Sequence, residues 1–182
     1  ILYPAASNFA AWQIAKALGI AEKESLSRFE CIQPMYSLVK RQAEVEILPL
    51  AEAENLGVIP YSPLGAGMLT GKYGPTHKPE SGRLIDNQIY KIRYSAEWMY
   101  DAADDFTNFA HQHGFDPIGL AVAWVASHPA VTAPIIGARN LDQLEGSLKS
   151  LQIKISPDLR DEISGLSPEP PPATDRNDER EK

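Results

Sequence analysis

The turn Gly137-Ala138-Arg139-Asn140 brings together the ingredients of an anion site. It leaves an apolar run that reads as a strand and enters a helix headed by Asn140. Free backbone N–H groups and the positive end of the helix dipole therefore converge where Arg139 adds a fork of donors and a full charge. A phosphate suits such a turn. An Arg paired with a surface carboxylate is the plainer alternative, and placement at a strand-to-helix turn leaves the two readings level. A second group is Ser7-Asn8, Gln33 and Tyr61, each at or just past the carboxyl end of an apolar run. In a parallel α/β barrel that end is where ligands bind. Amides from Asn8 and Gln33 can bond a planar carboxamide while Tyr61 stacks on its ring. Singly each residue reads as turn or core; together they form a candidate nucleotide site.

Other motifs carry less. The run Gly65-Ala66-Gly67-Met68-Leu69-Thr70-Gly71-Lys72 suggests a phosphate loop but fails on spacing, because the first glycine of a Walker loop would fall on Ala66 and Lys72 is followed by Tyr73 rather than Ser or Thr. The dinucleotide fingerprint fails at Thr70, where a third glycine is required. His111 and His113 are two apart and cannot share a helix face for a metal; cations near a helix C-terminus explain them. His77 and His128 stand alone. Cys31 reads as core filler, since no Ser or Cys occupies a nucleophile-elbow context. Trp12, Trp98 and Trp124 read as packing, with Trp98 and Tyr94 the candidates for pocket walls.

The elements that must position these groups alternate. Ile1-Leu2-Tyr3, Cys31-Ile32-Gln33, Val58-Ile59-Pro60-Tyr61 and Ala133-Pro134-Ile135-Ile136 read as short strands. Between them, Ala11, Ile14, Ala15 and Leu18 follow a helical period, as do Val45 to Leu56 up to Gly57. Asp116-Pro117 predicts a helix start, and Asn140 with Gln143 predicts a capping-box analogue. Parallel neighbours need a crossover, so the alternation predicts an α/β chain with a parallel sheet. The connection from Ser62 to about Ser95 is long for a compact fold and reads as a functional loop. Pro168 to Lys182 holds four prolines and eight charged residues and is expected to form a disordered tail.

Composition narrows the function classes. The 182 residues suffice for one core, since a domain of about 150 residues buries roughly 70% of its unfolded surface. With 17 basic against 24 acidic residues, the net charge of −7 argues against a broad nucleic-acid face. No run approaches the ~20 apolar residues of a membrane span, and Ile1 to Phe9 lack the pattern of a signal peptide. One cysteine forms no internal disulfide and no zinc signature is present, so a cytoplasmic setting without a metal is expected.

Four segments resemble the aldo-keto reductases, in particular the bacterial group similar to potassium-channel β subunits. They are Ala6-Ser7-Asn8-Phe9; Ile32-Gln33-Pro34-Met35-Tyr36-Ser37; Tyr61-Ser62-Pro63-Leu64 continuing through Gly65 to Lys72; and Ile136-Gly137-Ala138-Arg139-Asn140 with Gln143. The resemblance spans residues 1 to about 166. It implies a (β/α)8 TIM barrel that binds NADP(H) without a Rossmann domain and reduces small aldehydes or ketones to alcohols. By motif, it implies that Ser7, Asn8 and Gln33 hold the nicotinamide carboxamide and that Tyr61 stacks beneath the ring. Ser62, Leu64 and Gly65 line the pyrophosphate, with Lys72 close by. Gly137, Arg139 and Gln143 approach the adenosine 2′-phosphate, and Ser147 stands where Asn is common near the adenine. Gly146 departs from a usual Glu, and Ala5-Ala6 from a usual Gly before Ser-Asn.

The family's catalytic Asp, Tyr, Lys and His lie on the first four βα units, which by the resemblance precede Ile1. A complete barrel takes about 250 residues, so residues 1–167 are expected to be its C-terminal half, about four βα units that bind NADP and contribute no catalytic residue. The N-terminal half of the same barrel is then the expected partner, and without it the chain should be inactive and prone to dimerise or aggregate. The channel resemblance also leaves open a non-enzymatic, NADP(H)-sensing subunit.

Overall fold

The computed structural model describes residues 1–174. Three strands, β1 (Ala5–Ser7), β2 (Cys31–Gln33) and β3 (Gly57–Val58), pair in parallel in that order, with Ala5 opposite Cys31 and Cys31 opposite Gly57. Each crossover carries a helix: α1 (Ala11–Lys23) after β1 and α2 (Ile47–Ala53) after β2. α1 turns Ile14, Leu18 and Ala21 inward at helical spacing.

The first strand is Ala5–Ser7 rather than Ile1–Tyr3, whose three side chains are exposed. Prolines shorten the other two expected strands, because Pro60 and Pro134 have no N–H for the ladder. The chain beyond β3 continues as single bridges, Met35 to Tyr61 and Tyr61 to Ile135, both parallel, and Ile135 N–H reaches the Pro60 carbonyl at 2.8 Å. Ile135 thus takes a fourth, parallel position in an α/β sheet.

The long connection after Tyr61 is structured. It forms a 3-10 coil (Gly65–Thr70) and two short helices, α3 (Arg83–Asp86) and α4 (Gln88–Arg93), the second capped by Asn87. The longer α5 (Glu97–Gln112) follows, with Met99, Ala102, Ala103, Phe106 and Ala110 on its buried face. In α6 (Pro117–Ala126), Asp116 caps Ile118 N–H at 2.9 Å and pairs with Lys149 at 2.6 Å, and every residue from Gly119 to Val125 is buried. Pro at its first turn and the Asp cap match the sequence expectation. α7 (Leu141–Leu148) and α8 (Pro157–Ser164) are the last two α-helices among the described residues.

A polar clasp ties α8 and α6 to the loop after β2. Arg41 grips Glu44 through Nε and Nη2, at 3.1 and 2.9 Å to Oε2, and donates to the Ser164 carbonyl at 2.9 Å. Arg160 lies over the Trp124 ring and donates to Tyr36 Oη, Ser127 Oγ and the Trp124 carbonyl. Tyr36 Oη in turn donates to Glu44 Oε1 at 2.5 Å. Burial, and Glu44 after it, push the Tyr36 hydroxyl far above the ordinary phenol range, so it stays a neutral donor.

Of the tail expected over 168–182, residues 175–182 lie outside the described residues. Pro168, Pro170 and Pro171 line a cavity of about 330 Å³ together with Leu38 and Trp98.

Candidate functional site

A larger cavity of about 710 Å³ opens between the coil after β3 and the turn before α7. Tyr61, Ser62, Leu64 and Lys72 line one side, Gly137, Arg139 and Gln143 the other, and the segment from Tyr73 to Tyr90 lies across them. Seven of the twelve residues singled out in the sequence therefore face one space.

Three more join it through Tyr61. Tyr61 Oη donates to Asn8 Oδ1 at 2.6 Å, Asn8 Nδ2 donates to Ser7 Oγ at 3.1 Å, and Ser7 Oγ donates to the Gln33 carbonyl at 3.0 Å. The relay links the carboxyl ends of β1 and β2 to Tyr61. Asn8 is held at φ 60°, a conformation Asn tolerates better than most residues. The Gln33 side-chain amide makes no hydrogen bond among the described residues, so its donor and acceptor are available to a planar amide.

Gly65 and Ser147 sit differently. Gly65 is buried at φ 56°, and a Cβ there would stand 2.8 Å from Val39 Cγ2. Its role on this geometry is to let the coil close onto the core behind the cavity wall. Ser147 is 2% exposed and donates to the Gln143 carbonyl at 3.1 Å, on the buried side of α7. Ser62 lines the cavity at φ 60°, an unusual conformation for a non-glycine residue, and Ala66 follows at φ 59°.

The capping prediction holds with one change. Asn140 Oδ1 accepts from Gln143 N–H at 3.0 Å, but Gln143 Oε1 reaches past the cap to accept from Arg139 N–H at 2.9 Å. That bond fixes the backbone of Arg139 while its side chain stays exposed at the cavity.

Sequence reasoning missed Arg83. It lines the same cavity, its guanidinium 5.2 Å from the Tyr90 ring centre, and no local spacing announces it because a distant fold-back delivers it. Lys72, Arg83 and Arg139 then face Asp86, whose Oδ2 is occupied by Gly82 N–H at 2.8 Å. The cavity is net cationic in a chain of net charge −7, which suits a ligand with several phosphates.

Of the residues given plainer readings, Trp124 is packed in the core, whereas Trp12 on α1 is exposed and Cys31 is half-buried. Burial raises the Cys31 thiol above its ordinary value, so it is not a poised nucleophile. His113 stacks on Phe109 at 4.1 Å at the end of α5. Tyr94 is buried and Trp98 borders the smaller cavity. No helix among the described residues is long and apolar enough to cross a membrane.

A parallel α/β sheet with polar groups gathered at its carboxyl ends is the arrangement of an α/β ligand-binding protein. The model of the aldo/keto reductase family matches residues 1–167, and the chain belongs to that family. It is 35% identical over 168 residues to protein tas of Escherichia coli (strain K12), covering 91% of this chain and 48% of that protein. It is 33% identical to the uncharacterized oxidoreductase YrpG of Bacillus subtilis (strain 168), covering 92% and 49%. It is also 31% identical to a probable voltage-gated potassium channel subunit beta of Oryza sativa subsp. japonica, covering 95% and 54%. The chain spans about half the length of these relatives. Members of the family are in general oxidoreductases that use a nicotinamide cofactor on small carbonyl substrates.

Proposed function

We propose that residues 1–167 form the NADP(H)-binding, C-terminal half of an aldo/keto reductase barrel, in a cytoplasmic enzyme that reduces aldehydes or ketones to alcohols. The observation that carries this reading is the single cationic cavity on which Tyr61, Ser62, Lys72, Arg139 and Gln143 converge. NADP(H), when bound, supplies the hydride. Arg139 would meet the 2′-phosphate, while Ser62, Leu64 and Lys72, with Arg83 beside them, would hold the pyrophosphate. Ser7, Asn8 and Gln33 would orient the carboxamide, and Tyr61 would give the ring a flat wall. Gly65 contributes by closing the coil, and Ser147 by fixing α7, rather than by contact. Gly137 leaves backbone room at the turn, since nothing lies within 4 Å of where its Cβ would be.

The half-barrel reading is supported by what remains uncovered. Among the described residues, β1 and the Ile135 position each have one paired neighbour, and Trp12 and Ile20 on α1, like Leu141 and Leu148 on α7, are exposed large apolar side chains. A further half-barrel would pair the two edges and cover these faces.

A carbonyl oxygen gaining negative charge needs a positioned proton donor, worth typically ~10²–10⁴ in rate. Burial raises the hydroxyls of the buried tyrosines Tyr36, Tyr73 and Tyr94 above the ordinary phenol range, which makes each a poorer proton donor, Tyr73 at the cavity included. The chain alone is therefore expected to show no NADPH oxidation against a panel of aldehydes and quinones, whereas the full-length protein turns over. Comparable turnover by residues 1–182 would overturn the division of labour. The likeness to the rice channel subunit favours a second reading, a nucleotide-sensing subunit with the same cavity. Full-length protein that binds NADPH yet reduces none of the panel would select it.

A further inference from the structure

Tyr73 lines the nucleotide cavity with 3% of its surface exposed, and its hydroxyl is turned toward the start of α3. There the Leu84 backbone N–H donates to Tyr73 Oη. The approach is close, since a Cβ on Gly82, at φ 153°, would stand 2.7 Å from that oxygen. The first turn of α3 has no side-chain cap of its own, so Tyr73 supplies a partner for one of its free N–H groups from further back in the chain. Arg83, which lines the cavity, stands between Gly82 and Leu84. We propose that the Tyr73 hydroxyl is a positioning group, which fixes the turn at 82–84 and so holds Arg83 over the phosphates of the cofactor.

The other restraints on this segment leave the orientation of the turn open. Before it, Gly74 N–H donates to the His77 carbonyl at 3.0 Å and Lys78 Nζ lies 4.5 Å from the centre of the Tyr100 ring. After it, Asn87 caps α4. Asp86 Oδ2 accepts from Gly82 N–H at 2.8 Å, which braces the turn from within but ties it to nothing else. The Leu84 side chain is buried, yet apolar burial is non-directional and holds the turn without setting its rotation. The bond to Tyr73 is directional, and it comes from the residue next to Lys72 on the cavity wall. Such a restraint has work to do, because Lys72, Arg83 and Arg139 face one space and like charges favour an Arg83 that swings outward. The Tyr90 ring, 5.2 Å from the guanidinium, steadies the side chain, and Tyr73 steadies the backbone that carries it. Burial keeps the Tyr73 hydroxyl neutral, so the bond persists across the pH range around neutrality.

The role assigned to Tyr73 rests on the NADP(H) reading, but the contact itself can be followed without cofactor. In the full-length protein, Tyr73→Phe should speed hydrogen exchange at the Leu84 amide about fivefold or more, with circular dichroism confirming the fold. Gly82→Ala, whose new methyl would displace the hydroxyl, should do the same. Calorimetric titration with NADPH should show affinity about threefold to tenfold weaker in Tyr73→Phe and about tenfold or more weaker in Arg83→Ala. The deciding variant is the double one. If Tyr73 acts through Arg83, Tyr73→Phe adds no further loss once Arg83 is Ala. A hydroxyl that met the cofactor itself, or served stability alone, would leave the Tyr73→Phe effect the same in both backgrounds, and that result would overturn the proposal. Unchanged exchange at Leu84 would overturn it as well. A parent protein that fails to bind NADPH, with Leu84 exchange faster in Tyr73→Phe, would instead remove the cofactor reading and leave the contact between Tyr73 and the turn standing.

Discussion

Arg160 and Arg139 are chemically the same side chain in opposite settings. Arg160 is enclosed, stacked on Trp124 and donating to Tyr36, Ser127 and a backbone carbonyl. Arg139 is exposed at the cavity and joins no ion pair among the described residues; only its backbone is fixed, by Gln143. A guanidinium engaged on several sides within the protein builds structure, whereas one that is positioned but unpaired is available to a ligand.

Breaking the enclosed side should have the largest effect. Glu44→Ala leaves Arg41 and the Tyr36–Arg160 pair without their shared carboxylate, and losing the charged acceptor of this partly buried clasp costs about 1.5–3 kcal/mol. Thermal unfolding should drop by roughly 5 °C or more. Arg139→Ala should move it by no more than the ~0.5 kcal/mol of an ordinary surface change, and equal losses in the two variants would erase the contrast.

At the cavity, Tyr61 separates ring from hydroxyl. Tyr61→Ala removes the proposed stacking face, so NADPH affinity should fall by about 0.5–1.5 kcal/mol beyond the lost area, and deuteride transfer by the full-length protein should lose stereospecificity. Tyr61→Phe loses only the 2.6 Å bond to Asn8 and should keep the stereochemistry. Full stereospecificity in the Ala variant with unchanged affinity would remove the stacking role.

The smallest effect is on the enclosed side and depends on pH. His128 packs edge-on against Tyr36, and its Nδ1 accepts from Ala130 N–H at 3.1 Å, which requires that nitrogen unprotonated. Burial and then Arg160 lower its pKa, outweighing Glu44 and Glu52, which act upward. The folded pKa therefore lies below the unfolded value of about 6.5, so this stability is present above that pH and is lost as pH falls beneath it. The unfolding temperature should decline from pH 7.5 to 5.5 less steeply in His128→Asn than in the parent. Parallel declines would show that His128 contributes nothing.

The two regions also differ in how far the sequence reveals them. The cavity is built from turns with fixed local chemistry, so Asn140 with Gln143, Asp116-Pro117 and the end of β2 at Gln33 are legible from spacing, whereas the strand that ends at Ser7 is not. Arg83 was not, because its place depends on where a long connection folds back. At Gly65 and Ser147, which the resemblance places near the cofactor, packing behind the site also constrains the residue. The clasp was invisible for a similar reason. Arg41 and Glu44 are three residues apart, but what encloses them in a clasp is Arg160 and Ser164, more than a hundred residues away. Strand limits slipped where Pro4, Pro60 and Pro134 interrupt donors that an apolar pattern does not reveal.

The most direct measurement is a calorimetric titration of the full-length protein and its Arg139→Ala variant with NADPH and with NADH. The guanidinium can meet the 2′-phosphate with two charge-assisted bonds that NADH cannot offer. NADPH affinity should fall by about 1.5–3 kcal/mol in the variant, and NADH affinity should barely change. Equal losses for both cofactors, or none for either, would contradict the assignment of this cavity to NADP(H).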